Sequence, residues 1–218
     1  MKTCVVIDNP RSWFMPFARQ LVEFLGGFGE SQLFSSADKI SNGNEIAFIL
    51  SYEKKVSASI LARSRHNIVV HASDLPHGKG MSPLTWQILE DKNLIPLSLF
   101  EAVEAIDAGP IYLKDAVLFA GNELLGEIQR TLGIKIIEMC TRFVRTYPAI
   151  IQQGQAQTGE GTQYKRRTSG DSRLDPTKTI AEQFNLLRVV DNELYPAFFE
   201  WRGRKYVLHI TSVNNPHQ

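Results

Sequence analysis

Three short apolar runs restrict what this chain can fold into more than any other feature: Cys4-Val5-Val6-Ile7, Ile46-Ala47-Phe48-Ile49-Leu50 and Ile68-Val69-Val70. Each is a few residues long, and polar residues do not interrupt it. A strand that is apolar at every position must be buried on both faces, the environment of a parallel sheet covered by helices. The segments between them agree. Apolar residues at 14, 17, 18, 21, 22, 24 and 25 follow helical spacing and stop at Gly26-Gly27. A shorter helix fits 57–65, and 32–35 is a weaker strand. The pattern predicts the α/β class: a doubly wound, mostly parallel sheet whose ligands sit beyond the carboxyl ends of the strands. His71 falls at such an end. So do Asp8, Asn9 and Pro10, although no glycine-rich phosphate cradle accompanies them.

Further along, the spacing predicts a helix after Ser82-Pro83, with the Ser82 hydroxyl as its cap and Leu84, Ile88 and Leu89 as its buried stripe. Strands are expected at 94–100 and 110–119. A long helix over 123–146 places Leu125, Ile128, Leu132, Ile136, Met139 and Phe143 on one face, and Pro148 ends or kinks it. After Gln152 the composition turns polar, and 153–161 reads as a linker or surface loop. Asp175-Pro176 opens another helical pattern with Ile180, Phe184, Leu187 and Val190. Two short strands around Arg202-Gly203-Arg204 suggest a hairpin. The expected organisation is a core over 1–152 and a small helix-hairpin subdomain over 153–218, packed on that core.

The 218 residues, 43% of them apolar, suffice for one large buried core with an appendage. Lys and Arg total 24 against 23 Asp and Glu, a formal net charge of +1, which argues against a dedicated nucleic-acid binder. A small-molecule partner is expected instead. Cys4 and Cys140, far apart, make neither a disulfide framework nor a zinc site and are read as buried thiols. No metal is expected. No apolar stretch approaches the ~20 residues of a membrane span, and the first run is too short for a signal peptide. A cytoplasmic protein is expected.

The densest chemistry lies in Val69-Val70-His71-Ala72-Ser73-Asp74-Leu75-Pro76-His77-Gly78-Lys79-Gly80. A strand delivers a histidine, and a Pro/Gly loop then lets backbone approach a ligand. Thirty-six residues after His71 comes Asp107-Ala108-Gly109-Pro110-Ile111, an acidic residue in a tight turn. The first segment resembles the formyltransferase loop N-x-H-x-S-x-L-P-x-x-x-G, and the second resembles the D-x-G-x-I turn of that family. Their order and separation carry the resemblance. It extends more loosely through 81–90, returns at 161–175 and at Tyr195-Pro196-Ala197-Phe198-Phe199, and rests on pattern alone over 1–66. Gly161-Thr162-Gln163-Tyr164-Lys165-Arg166-Arg167 is similar to the branch acting on nucleotide-linked amino sugars. Initiator-tRNA members of the family are longer and carry an added β-barrel.

The resemblance implies a Rossmann-like formyltransferase core and transfer of a formyl group from the co-substrate N10-formyltetrahydrofolate to the amine of a nucleotide-linked amino sugar, with a homodimer as a further possibility. His71 would be the base, since an imidazole titrates near neutral pH. Asp107 would accept a hydrogen bond from the imidazole or the amine and hold the tautomer. Gly80 and Gly109 would let backbone close on a ligand. Ser73 either caps the loop or contacts ligand. His77 and Lys79 form a solvated tip or reach a phosphate or the folate tail. Lys165, Arg166 and Arg167 are a solvated face or the partners of a diphosphate, and Tyr164 is a packing residue or stacks on a base. One departure stands out: Val69 occupies the family's asparagine position, whose amide would donate to the formyl oxygen. Asn67 lies on the same strand face but ~13 Å from His71 along the strand. Losing such a donor costs ~3 kcal/mol in the barrier. The competing readings are another acceptor, such as glycinamide ribonucleotide, and a non-catalytic folate or nucleotide-sugar binding protein.

Overall fold

The computed structural model describes residues 1–213. In chain order the elements are β1 (Thr3–Val6), α1 (Met15–Gly26), β2 (Ser31–Phe34), β3 (Asn44–Ile49), α2 (Ala58–Leu61), β4 (Ser64–His71), β5 (Lys79–Gly80), α3 (Pro83–Leu89), β6 (Leu94–Glu101), β7 (Ile111–Leu118), α4 (Leu125–Thr146), β8 (Gln163–Tyr164), α5 (Phe184–Arg188), β9 (Ala197–Trp201) and β10 (Arg204–Leu208), with short 3₁₀ turns between some of them. Six strands form one sheet in the order β2-β1-β3-β4-β6-β7. The first four pair in parallel; β6 and β7 join antiparallel at one side. The sheet is therefore mixed and mostly parallel, as the apolar runs require.

Side chains alternate between the two faces of each strand. Val5, Ile7, Ile46, Phe48, Leu50 and Ile68 point to one large core that they share with α1 and α4. Within it Phe143 of α4 meets Phe48 edge-on at 6.2 Å, a favoured aromatic geometry. Cys4, Val6 and Ala47 point to the other face and a smaller cluster. Both thiols are buried and unpaired, and burial pushes Cys4 up to about 12.

Several local expectations are corrected. The helix expected over 57–65 is a single turn, because Ser64 and His66 pair with Asn44 and Ile46 and β4 takes that sequence. Ser82 does not cap α3 with its hydroxyl; it sits in the left-handed region at φ 55°, which turns the chain into Pro83. No helix starts at Asp175. That carboxylate accepts the Thr177 N–H and hydroxyl in a tight turn, Ile180 is 74% exposed, and α5 begins only at Phe184. The hairpin forms as β9–β10 around Arg202-Gly203, both at positive φ, which suits the twist of a two-residue turn.

The region after 152 holds a small cluster of its own, with Leu174, Leu187, Val190 and Ala197 buried together. It is also tied to the rest of the chain. Gln155 pairs with Ile111, β8 pairs with β5, and the fully buried Arg188 bonds Asn93 and Asn185 and faces Glu123. The stretch 153–161 is thus not a free linker. Among the described residues, no helix is long and apolar enough to cross a membrane.

Candidate active site

His71 is the last residue of β4. Val70 packs toward the large core, whereas Val69 packs with Phe100 and Ile111 on the opposite face. By the two-residue period His71 shares that opposite face. Asp107 stands in the connection from β6 to β7, and that turn is pinned at several points. Ala102 N–H donates to Asn67 O and Glu101 N–H to Pro110 O. The Gln157 amide donates to Asp107 O and Gly109 O, each at 2.9 Å. A Cβ on Gly109 would stand 1.8 Å from Glu101 O, so only glycine lets the chain pass this close. Asp107 itself has φ 51°, a left-handed conformation that Asp tolerates better than most residues.

The turn and the strand end meet. His71 Nε2 lies 2.9 Å from Gly78 O and 3.8 Å from Asp107 Oδ2, with the two side chains only 11% and 13% exposed. A carbonyl oxygen only accepts, so the short contact assigns the ring proton to Nε2 and leaves the free lone pair on Nδ1. At 3.8 Å the carboxylate acts on the ring by charge and not by a hydrogen bond. The tautomer expected from Asp107 is therefore held by Gly78. Asp107 Oδ2 instead accepts the Gly80 N–H at 2.9 Å. One loop thus holds both groups.

His71 and Asp107 both line a cleft of about 400 Å³, as do Trp13, Val69, Gly80 and Gln129. Leu125, Leu132 and Ile136, one face of α4, supply an apolar wall. Val69 lines this cleft with no donor to offer. Asn67 is no substitute: it is buried, and its amide donates to Leu61 O.

The remaining expected site residues are dispersed. Ser73 is 2% exposed, stands outside the cleft lining beneath Gly78, and its hydroxyl has no partner among the described residues. His77 is exposed away from the cleft, and Lys79 pairs through its backbone with the strand at Gln163. Gly109 serves the close approach to Glu101 and does not line the cleft. The Tyr164 hydroxyl donates to Glu90, Lys165 pairs with Asp171 and lies over the Trp86 ring, and Arg166 pairs with Glu53. Arg167 donates to Val189 O and the Ser172 hydroxyl. None of these four lines the cleft.

Other groups stand where the basic run was expected to act. Lys54 and Lys55, in the loop after β3, bring two positive charges to the cleft wall, and Thr85 adds a hydroxyl. The switch-point rule would have found the lysines, because they follow a parallel strand at its carboxyl end. Gln129 also had a readable signal. It falls between Leu125 and Leu132 on the buried stripe of α4, where a polar residue needs a reason. Among the described residues, no group of three or more His, Cys, Asp or Glu is arranged for a metal ion.

No protein-family model matches the chain. It is 23% identical over 145 residues to the methionyl-tRNA formyltransferase of Thermodesulfovibrio yellowstonii, which covers 66% of this chain and 47% of that protein. To that of Clavibacter sepedonicus it is 25% identical over 152 residues, 69% of this chain and 50% of that protein. The chain thus matches about half the length of these relatives. Among solved structures, methionyl-tRNA formyltransferase from Clostridium thermocellum superimposes with a TM-score of 0.79 at 19% identity, covering 99% of this chain and 95% of that one. A sugar N-formyltransferase from a Shewanella species gives 0.64 at 15% identity, with 99% of both chains covered. HypX from Aquifex aeolicus in complex with tetrahydrofolic acid gives 0.73 at 14% identity, over 96% of this chain and 37% of that one. The chain therefore has the fold of the formyltransferases and is related in sequence to members of that family.

Proposed function

We propose that this chain moves a formyl group from N10-formyltetrahydrofolate to the amine of a nucleotide-linked amino sugar. One observation carries the reading: His71 and Asp107, distant in sequence, face one cleft on a fold shared with formyltransferases. The folate donor is supported by the tetrahydrofolic acid bound to HypX, and the sugar acceptor by the likeness to the Shewanella enzyme.

In the reaction the amine lone pair attacks the formyl carbon, the bond from that carbon to N10 breaks, and the amine proton passes on to N10. His71 Nδ1 has the free lone pair to take the proton and return it. The Asp107 carboxylate, 3.8 Å from the ring, favours the imidazolium that forms in between. The negative oxygen of the tetrahedral intermediate needs a donor that Val69 does not supply. The Lys54 and Lys55 ammonium groups, the Gln129 amide and the Thr85 hydroxyl are among the polar candidates on the cleft wall.

Val69 favours a second reading, a protein that binds folate or nucleotide sugar without turnover. The test is purified protein with N10-formyltetrahydrofolate and a panel of acceptors: nucleotide-linked amino sugars, glycinamide ribonucleotide and methionyl-tRNA. The expected outcome is a mass gain of one formyl group on a sugar nucleotide. Product only from another acceptor would sink the sugar assignment, and binding without product would favour the second reading.

A further inference from the structure

The loop that holds both His71 and Asp107 is itself gripped by one residue from the far part of the chain. Thr162 bonds two successive peptide N–H groups of that loop: its hydroxyl accepts from Gly78 N at 2.8 Å and its carbonyl from Lys79 N at 2.9 Å. The peptide unit between Gly78 and Lys79 is thereby held at both ends, because its oxygen accepts from His71 Nε2. The grip continues along the strand. β8 pairs with β5, and Met81 N–H donates to Tyr164 O. The approach is close throughout: a Cβ on Gly161 would stand 2.7 Å from Pro76 O, and one on Gly80 would stand 2.4 Å from Tyr164 O. Gly80 is also the residue whose N–H bonds Asp107.

We propose that Thr162 is a positioning residue for the site, setting the tautomer of His71 through Gly78; the inference rests on formyl transfer at His71 and Asp107. Gly78 has φ 71°, outside the range most residues hold, so this peptide keeps its orientation only while its neighbours fix it. Without the Thr162 hydroxyl the Gly78 N–H loses its acceptor, the loop relaxes, and the carbonyl no longer claims the Nε2 proton. The ring then shares its proton between two nitrogens, and the lone pair is correctly placed only part of the time. The strap explains why residues 161–164, none of which lines the cleft, belong to the same functional unit as the loop at 76–81.

The test uses the full chain labelled with ¹⁵N, as parent and as Thr162→Val and Thr162→Ser, compared by kcat and by the ring-nitrogen spectrum of His71. The signal is identified by its loss in His71→Gln. At about pH 8, above the ordinary histidine range, the parent is expected to give the pattern of a protonated Nε2. Thr162→Val is expected to give a mixed pattern and a kcat lower by about tenfold, with KM for the folate little changed. Thr162→Ser, which keeps the hydroxyl, is expected to restore both. Should the valine chain not fold, Thr162→Ala reads the same loss in milder form. A parent-like His71 pattern and kcat in the valine or alanine chain would overturn the proposal. If the parent forms no product with any acceptor, formyl transfer fails as the reading of the site, while the ring spectra still decide whether Thr162 sets the tautomer.

Discussion

The loop at 76–81 and the run at 165–167 lie on adjacent stretches of the same surface, linked by β5–β8, yet they use their polar groups in opposite ways. In the loop, backbone atoms do the holding: Gly78 O holds His71 and Gly80 N–H holds Asp107, so among the described residues the side-chain groups at the cleft keep a free lone pair and a free carboxylate oxygen. In the basic run the side chains do the holding. Lys165 is engaged by Asp171, Arg166 by Glu53 and Arg167 by Val189 O and Ser172. Chemistry requires groups that the fold orients without consuming, and backbone hydrogen bonds provide that. Of the three cations only Arg167 holds its partners in a partly buried setting; Lys165 and Arg166 keep theirs at the exposed surface.

The comparison breaks most visibly if the loop is not the reactive side. His71→Ala and Asp107→Asn are each expected to lower formyl transfer by about a thousandfold or more, with circular dichroism and melting close to the parent. Asn tolerates the left-handed backbone at 107, so that variant tests charge and not folding. Near-parent rates in either variant would remove the loop from the mechanism. The next effect is smaller and falls on stability. Arg167→Ala strands the Val189 carbonyl in a partly buried site and takes a donor from the Ser172 hydroxyl, which still donates to Tyr195 O; it is expected to cost about 1–3 kcal/mol in urea unfolding, with kcat unchanged. Arg166→Ala, in an exposed pair with Glu53, is expected to stay within about 0.5 kcal/mol. A large rise in KM for the sugar nucleotide in the Arg166 variant would return that residue to the binding surface. The smallest effect appears only in acid. The Lys165 ammonium and the Thr168 N–H and hydroxyl hold the Asp171 carboxylate down to about 2. Its folded value is below its unfolded one, so its contribution is complete above the ordinary Asp value of ~3.9 and is lost as pH falls toward about 2. Urea midpoints of the parent should therefore fall more steeply over that window than those of Asp171→Asn.

Much of this was legible before any coordinate. Contiguous apolar runs required strands covered on both sides, and alternation then sorted Val5 and Phe48 from Cys4 and Ala47. A histidine after Val70 had to stand at a carboxyl end. Other features were hidden because local pattern and tertiary contact disagreed. The helical pattern over 57–65 loses to pairing with β3, and the polar stretch 153–161 is recruited by Ile111 and by the Asp107 turn through Gln155 and Gln157. Lys54 and Lys55 were readable by position but not by motif.

What the amino-acid order determined alone was the class of sheet, the strand that carries His71 and the turn that carries Asp107, because these follow from periodicity and backbone preference within a few residues. Which nitrogen of His71 keeps its proton, which basic residues are already paired and which residue grips the loop were decided only in three dimensions. Each depends on an acceptor or partner brought near by folding, such as Gly78 O for His71, Asp171 for Lys165 and Thr162 for the loop, and contact at 3 Å between distant segments leaves no periodic trace in a sequence.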